Sequence, residues 1–407
     1  MKTLKTLFTL SNHNRFAKQL LSKPLILFLS IFILTSCETD DTINDLQTNG
    51  PVFDINLFEQ NIINYVNSGG NTPVGWSYTI SKNGNLARSN SYGQARTAVD
   101  GVLDFTLDKE INVASVTKFY TAIAVMQLLE TNNLTIDDKI SEWLPSSWPQ
   151  GPGVSDLTFK DLLTHRSGLE SSNNNFNTTL GYQGLAVCIR TGVINSKNYN
   201  YLNVNFALYR VLIPSLWSAL PNAPTIDINS DTDTRSKYIQ YMQQNIFDRI
   251  SLPDVGCSPE PEDIVTLYYN VNDINTNANG LVYSDWNNKA GGGGYYMTTI
   301  EMAKVIAFFE HSEILVNQNQ RAIMKLHRIG MDRADLADEI HGNYYGKGGS
   351  IGTNSNQTLS KGVLTQMVMF PINGIDCVVV MNCRGVTLNN NTNLRQMIYD
   401  AYNNAWQ

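Results

Sequence analysis

Residues 111–130 have the sequence INVASVTKFYTAIAVMQLLE, in which Ser115 and Lys118 form a Ser-x-x-Lys motif at the start of an apolar segment. The apolar residues are spread around all sides of a helical projection, which predicts a buried helix from about Ser115 to Glu130. Residues three apart share one helix face, so the Lys118 amine can reach the Ser115 hydroxyl. A hydroxyl becomes a strong nucleophile only when a nearby base takes its proton, and a desolvated lysine can do so. The stretch therefore predicts a buried helix whose first turn carries a nucleophile and its base.

A second serine motif competes with this one. Residues 348–352, Gly-Gly-Ser-Ile-Gly, match the nucleophile elbow of α/β-hydrolases, which needs a following helix and a later histidine. Residues 353–357 do not resemble a helix start, and the last histidine is His341. The elbow interpretation is therefore rejected.

Patterns of strand and helix occupy both ends of the chain. An Asn-Gly pair at 83–84 between alternating segments predicts a hairpin. The predicted strands are 75–81, 86–92, 364–370 and 375–381, and the predicted helices outside the Ser115 segment are a short one opening at the capping box of 158–161, one at 299–311 and one at about 393–406. The middle, about 170–290, is loop-rich and partly helical, with an irregular insertion at about 213–235. We therefore predict an α/β (α+β) fold with an antiparallel sheet, flanked by helices and built from both chain ends, and a helical lobe.

Composition excludes several classes of protein. Hydrophobic residues make up 42% of the 407 residues, which argues against disorder. Acidic residues outnumber basic ones 36 to 29, so we expect no nucleic-acid partner. The mature chain has four histidines and neither a His-Glu-x-x-His nor a Cys-x-x-Cys motif, so we expect no metal and no cofactor.

The N-terminal segment has the pattern of an export signal. Lysines precede an apolar run at 24–34 that is too short to span a bilayer, and Leu-Thr-Ser-Cys at 34–37 resembles a bacterial lipobox. We predict a lipoprotein signal peptide at 1–36 and a lipidated Cys37 with a flexible tether at 37–55. The folded part is then extracytoplasmic, in the bacterial periplasm or at the cell surface. We expect it to be attached to the membrane through the lipid anchor.

Four cysteines remain in the predicted mature domain, which is a favourable setting for disulfides outside the cytoplasm. Cys377 and Cys383 bracket a predicted strand that holds them about 20 Å apart, beyond disulfide reach. They are therefore predicted to be buried thiols. A Cys188–Cys257 disulfide stays open.

Several motifs together resemble the serine β-lactamase-like and penicillin-binding superfamily, in particular its branch of class C β-lactamases, D-Ala-D-Ala carboxypeptidases and related esterases. The motifs are Ser115-x-x-Lys118, Leu-Leu-Thr-His-Arg-Ser-Gly-Leu at 162–169, Tyr-Gly-Gln-Ala at 92–95, and the glycines of 291–294 before Tyr-Tyr-Met-Thr-Thr. The resemblance covers about residues 60–407 and implies a β-lactamase/transpeptidase-like fold. The domain then spans 56–407, with a sheet lobe at about 56–130 and 290–407 and a helical lobe at about 131–289.

The resemblance also implies the remaining site residues. The family's Tyr-x-Asn motif matches Tyr201 and Asn203, because a short helical pattern follows them. The bare pattern also occurs at Tyr65, Tyr268 and Tyr402. The family's Lys-Thr-Gly motif matches Lys347, Gly348 and Gly349, with Ser350 next, and Gly348 removes the hydroxyl of the usual threonine.

The resemblance implies that Ser115 attacks a carbonyl while Lys118 and Tyr201 relay its proton and the backbone N–H groups of Ser115 and Ser350 hold the oxyanion. The residues Asn203, Lys347, Gly349 and Ser350 are then substrate-binding. Lys347 favours a substrate that carries a carboxylate, and His165 is expected to be structural.

We therefore expect an exported, lipid-anchored serine hydrolase that forms an acyl-enzyme with a small-molecule or peptide substrate. The substrate is an amide or ester: a peptidoglycan D-Ala peptide, a β-lactam or a small ester. The alternative is a non-catalytic surface lipoprotein that uses the same fold for ligand binding. A monomer is expected.

Overall fold

The computed structural model describes residues 50–169, 181–259, 264–333, 340–352, 360–389 and 392–407. The predicted signal peptide and Cys37 lie outside these residues. The end of the predicted tether does not hang free: Phe53 forms a β-bridge with Trp406, and the first helix begins at Ile55. Within the described residues, no helix combines the length and the hydropathy needed to cross a membrane.

A six-stranded antiparallel sheet organises the fold, with the order β3-β2-β1-β8-β7-β6, and two short strands form a separate pair. The strands are β1 Gly75–Lys82, β2 Asn85–Arg96, β3 Leu103–Asp104, β4 Ile111–Asn112, β5 Tyr296–Met297, β6 Tyr345–Gly352, β7 Gly362–Phe370 and β8 Ile375–Met381. Strand β1 pairs with β8 from Trp76 opposite Met381 to Lys82 opposite Ile375. The predicted sheet built from both chain ends is therefore confirmed.

The helices follow the same chain order. They are α1 Ile55–Asn67, α2 Thr117–Thr131, α3 Phe159–Leu163, α4 Tyr182–Thr191, α5 Asn203–Ala207, α6 Tyr209–Ser218, α7 Asp231–Met242, α8 Asn272–Asn275, α9 Thr299–His311, α10 Gln318–His327 and α11 Leu394–Asn403. Helix α9 and strand β8 have the predicted bounds, and the Asn83-Gly84 turn joins β1 to β2 with φ of 49° and 74°, as a tight hairpin requires.

Both faces of the sheet are covered. Strand β8 is buried at every position: Val378 and Val380 belong to the apolar cluster that includes residues of α2 and α9, whereas Cys377 and Val379 belong to the cluster that includes residues of α1 and α11. A strand covered on both faces has no solvent-exposed side, which explains the uninterrupted apolar run from Cys377 to Met381 that follows Asp376. The core therefore has two layers, one on each side of the sheet.

Helix α2 is buried along almost its whole length, as predicted. It begins at Thr117, two residues later than predicted, because Ala114–Val116 form a 3₁₀ turn. Ser115 therefore lies in a tight turn that leads into the helix.

The bounds of the irregular insertion predicted at about 213–235 are wrong, because helices occupy both of its ends. Helix α6 continues to Ser218 with Pro214 inside it, and α7 begins at Asp231. Proline removes one helical hydrogen bond, but the α6 segment is buried on all sides, and this packing outweighs the loss. Only residues 219–230 between the two helices are irregular.

The four cysteines of the described residues are buried thiols. This agrees with the prediction for Cys377 and Cys383. The Cys188–Cys257 disulfide, left open by the sequence, is not formed.

Candidate active site

The turn that carries Ser115 is fixed by hydrogen bonds on its N-terminal side. The Ala114 N–H donates to Asn112 Oδ1 at 2.9 Å, and the Val113 N–H donates to the Tyr295 carbonyl at 2.9 Å. Ala114 has φ of 52°, a left-handed conformation that is unfavourable for a residue with a Cβ. The backbone is thus held in a strained turn that directs Ser115 to the outside of the buried helix.

Lys118 is fully buried, and its amine lies close to several polar groups. Its Nζ lies 3.1 Å from Ser115 Oγ, 3.0 Å from Asn203 Oδ1 and 2.5 Å from the Gly292 carbonyl oxygen. The latter two are acceptors only, so a neutral amine gives them its two N–H bonds and directs its lone pair at Ser115. Burial lowers the pKa of Lys118, which favours this neutral form.

Tyr201 is the second group beside the nucleophile. Its hydroxyl oxygen lies 2.8 Å from Ser115 Oγ, and its ring lies near two amines, with Lys118 Nζ 5.2 Å and Lys347 Nζ 5.1 Å from the centroid. Burial raises the pKa of the Tyr201 phenol, but the two lysines and the hydrogen bond to Ser115 outweigh it and lower the pKa to about 8. Tyr201 can therefore exchange a proton near neutral pH.

His165 supports Tyr201 from behind. The two rings lie 4.3 Å apart, and His165 Nδ1 is 3.3 Å from both the Leu202 backbone nitrogen and Asn205 Nδ2. Burial and the charges of Lys118 and Lys347 hold the pKa of His165 well below its usual range. The ring is neutral and does not touch Ser115 in any described contact, which suits the structural role expected of it.

Edge strand β6 supplies Lys347, Gly348, Gly349 and Ser350 beside the nucleophile. At Gly349 the strand meets the Ser115 turn so closely that a Cβ would lie 2.4 Å from the Val113 carbonyl oxygen and 2.5 Å from Thr365 Oγ1. Only glycine fits this contact. A cavity of about 390 Å³ lies outside it, and its lining includes Ser115, Tyr201, Asp332, Lys347, Ser350 and Arg395.

Asp332 is a site residue that the sequence analysis missed. Its carboxylate lies 2.6 Å from Lys347 Nζ and accepts the Gly348 N–H at 2.7 Å. Burial lowers the pKa of Lys347, but Asp332 and Tyr201 outweigh it and raise the pKa above its usual range. Asp332 belongs to no motif, and its contact with Lys347 arises only when the loop after α10 folds against β6, so no local signal could have identified it.

The other sequence candidates lie elsewhere. Tyr65 is on α1, where its hydroxyl accepts from Asn404; Tyr268 donates to Asp100; and Tyr402 stacks on Phe370. Of the four Tyr-x-Asn tyrosines, Tyr201 is the one that the structure brings to Ser115. Residues 348–352 form part of a strand rather than a strand-to-helix turn, in agreement with rejection of the elbow. Among the described residues, no group of three or more His, Cys, Asp or Glu side chains is placed to hold a metal ion.

Comparison with known proteins gives one family match. Residues 70–213, which include Ser115, Lys118 and Tyr201, match the beta-lactamase family model. The chain is also similar to beta-lactamase-like protein 1 of Dictyostelium discoideum, with 32% identity over 99 residues. That similarity spans 20% of this chain and 16% of the relative.

Solved structures show the same fold over most of the chain. FmtA from Staphylococcus aureus has a TM-score of 0.63 at 17% identity and covers 88% of this chain and 91% of its own. D-amino acid amidase from Ochrobactrum anthropi SV3, solved with L-phenylalanine amide, has a TM-score of 0.60 at 17% identity and covers 86% of this chain and 98% of its own. The family match and these folds confirm the resemblance to the serine β-lactamase and penicillin-binding superfamily.

Proposed function

We propose that this protein is a serine hydrolase that cleaves an amide or ester through an acyl-enzyme on Ser115. One observation carries the proposal: Ser115 Oγ lies within hydrogen-bond distance of both Lys118 Nζ and Tyr201 Oη. A hydroxyl with two proton acceptors beside it is an activated nucleophile. The amide- and ester-cleaving reactions of the superfamily use the same chemistry, which supports the hydrolase assignment.

Acylation follows from the contacts of Lys118. With its two N–H bonds given to Asn203 and Gly292, the neutral amine accepts the Ser115 proton as Oγ bonds to the substrate carbonyl carbon. The proton then passes through Tyr201 to the leaving nitrogen or oxygen as the bond from carbon to that atom breaks. Asn203 therefore positions Lys118.

Deacylation needs a base that can take a proton from water. Tyr201 lies 2.8 Å from Ser115 Oγ, with its pKa lowered to about 8, so part of the population is phenolate near neutral pH. Water attacks the acyl carbon as its proton passes to Tyr201, and the bond from that carbon to Ser115 Oγ then breaks as Tyr201 gives the proton to Oγ. The backbone N–H groups of Ser115 and Ser350 are the proposed donors to the oxyanion, since both residues line the cavity.

We also propose that the chain is exported and lipid-anchored through Cys37. The apolar run at 24–34 and the lipobox-like Leu-Thr-Ser-Cys support this proposal. The anchor would hold the hydrolase outside the cytoplasm, near substrates of the cell envelope.

Covalent labelling tests the catalytic proposal. The full chain, purified in detergent, is treated with a fluorescent fluorophosphonate and a fluorescent penicillin, beside Ser115→Ala and the exposed-serine control Ser146→Ala. We expect fluorophosphonate labelling of the wild type and Ser146→Ala and none of Ser115→Ala, because the reagent reacts with the activated hydroxyl.

Labelling that survives in Ser115→Ala would assign a different nucleophile. Absence of labelling in a folded wild type, together with no turnover of p-nitrophenyl esters, would contradict the hydrolase and favour a ligand-binding lipoprotein. The penicillin lane reports whether a substrate with a carboxylate reaches Ser115.

A further inference from the structure

The polar donors that β6 presents at the mouth of the site are already occupied by an internal carboxylate. Asp332 lies 2.6 Å from Lys347 Nζ and accepts the Gly348 N–H at 2.7 Å. An ammonium and a neighbouring backbone N–H form a favourable site for a carboxylate. Here the chain supplies that carboxylate itself.

The position of Asp332 is fixed from several sides. Its backbone N–H donates to the Gly346 carbonyl at 2.8 Å, and Gln366 Nε2 lies 3.4 Å from its carboxylate. The side chain of Lys347 is only 4% exposed, whereas that of Asp332 is 21% exposed. A ligand in the cavity therefore meets the negative partner of the pair before the positive one.

Gly348 is consistent with this arrangement. A Cβ at this position would lie 2.4 Å from Gln366 Oε1 and 3.3 Å from Asp332 Oδ2. A hydroxyl-bearing residue at 348 would crowd the Asp332 carboxylate and Gln366. The replacement of threonine in the Lys-Thr-Gly motif thus matches a strand that holds an internal carboxylate instead of one from the substrate.

We infer that Asp332 is a specificity-determining residue that selects esters and amides with no carboxylate beside the scissile bond. The inference rests on the proposed function, since it names the substrate class of the Ser115 site. A substrate carboxylate near Lys347 would lie within a few ångströms of Asp332, where like charges repel. An uncharged group meets no such repulsion. The sequence expectation that Lys347 favours a carboxylate is thereby replaced.

Among the residues that the structure describes, Arg395 is the other cation that lines the cavity, and its side chain donates to the Arg333 carbonyl at 2.9 Å. A substrate carboxylate could therefore bind to Arg395 even though Lys347 is paired with Asp332. A wild type that prefers the carboxylate substrate, with the preference lost in Arg395→Gln, would overturn the inference.

The test uses two phenylacetyl esters that differ in one group, with 3-hydroxybenzoic acid or 3-hydroxybenzamide as the leaving group. The kcat/KM values of the full chain are normalised to the spontaneous hydrolysis of each ester. We expect the wild type to prefer the benzamide ester by at least about tenfold, and Asp332→Asn to raise kcat/KM for the benzoate ester by at least about tenfold. The benzamide ester should change by less than about threefold.

Asp156→Asn is the matched control, because it removes the same charge from an exposed pair with Lys139 far along the chain from β6. It should leave the preference unchanged. Equal cleavage of both esters by the wild type, or the same ratio in a folded Asp332→Asn, would overturn the inference while leaving the hydrolase intact. If Asp332→Asn does not fold, the inference is tested on the wild type alone, by its ratio of kcat/KM for the two esters and by competitive inhibition. We then expect benzoate to inhibit more weakly than benzamide. A wild type that cleaves neither ester and takes no fluorophosphonate contradicts the proposed function itself.

Discussion

Tyr201 lies between two lysines with opposite properties. Burial lowers the pKa of Lys118, whereas Asp332 holds the pKa of Lys347 above its usual range. Near neutral pH, Lys347 therefore carries a stable positive charge and Lys118 is the amine that can become neutral. The Tyr201 phenol responds to both.

This arrangement predicts the pH dependence of the reaction. Tyr201 is the proposed base of deacylation and acts only when deprotonated, so the rate constant for hydrolysis of the acyl-enzyme formed from a neutral ester should rise with pH through an apparent pKa near 8 and then level off. In Lys347→Met, the loss of a positive charge near the ring raises the pKa of Tyr201, so the midpoint should move upward and activity at pH 7 should fall.

The profile is measured with Ser115→Ala as the background for spontaneous hydrolysis. A deacylation rate constant that does not change through this range, or a midpoint that does not move in Lys347→Met, would contradict the role of Tyr201 as the base.

Among the site residues, the sequence identifies those that lie close together along the chain. Ser115 and Lys118 are three apart at a helix start, so their contact follows from helix geometry. Tyr201 could be selected among four matches only by its place before a short helix. Asp332 could not be predicted as a site residue, because only the tertiary fold brings it to Lys347 on β6.

The key contact between elements is the close approach of β6 to the Ser115 turn. Thr365 Oγ1, on the neighbouring strand β7, donates to the Val113 carbonyl at 3.1 Å and ties the turn to the sheet. Gly349 leaves no side chain between the strand and the turn. The distance of Ser350 from Ser115 is therefore set by backbone contact.

Gly349→Ala should move these two elements apart. The added Cβ would meet the Val113 carbonyl and Thr365 Oγ1, so we expect about a 100-fold loss of kcat/KM from misplacement of the oxyanion donors. The free energy of unfolding should fall by about 1–3 kcal/mol, as for other overpacked sites.

The control is Gly70→Ala, since Gly70 has no atom within 4 Å of an added Cβ. Both variants are compared by thermal unfolding and ester turnover. If Gly349→Ala keeps wild-type kcat/KM, the backbone contact does not set the geometry of the site.

Elements with strong local patterns could be predicted, and the others could not. Helix α9 has a Thr298–Glu301 capping box and an apolar stripe, and its bounds match the prediction. Strand β6 was not predicted, because four of its residues are glycines and the alternation of apolar and polar side chains is therefore missing. These glycines allow close contacts that form only in the folded chain. Helix α6 could not be predicted over its full length, because Pro214 lies inside it. Burial of the helix compensates for the hydrogen bond that the proline removes.

In the whole molecule, the two layers on either side of the sheet have different roles. The face covered by α1 and α11 holds an aromatic cluster in which Phe370 and Tyr402 stack 3.7 Å apart. The other face carries α2, with Lys118 in its first turn, and α9. The first layer stabilises the sheet, and the second positions the chemistry.

The placement of the whole molecule is tested through Cys37. In a bacterium that expresses the full chain with an alkyne-labelled fatty acid, we expect label on the wild type, recovery with membranes, and loss of both in Cys37→Ala. Cys188→Ala, which changes a buried thiol of the folded domain, is the control. Label that persists in Cys37→Ala would contradict the anchor.

The pairing of β1 with β8 also determines when this protein can fold during its synthesis. Strand β8 is a central strand of the sheet, yet it is synthesised long after β1, and β1 has no partner on that side until then. Bringing such distant segments together requires a large loop closure, which makes folding slow. The nascent chain consequently remains without its complete main sheet until β8 has been synthesised, a state that chaperones must protect.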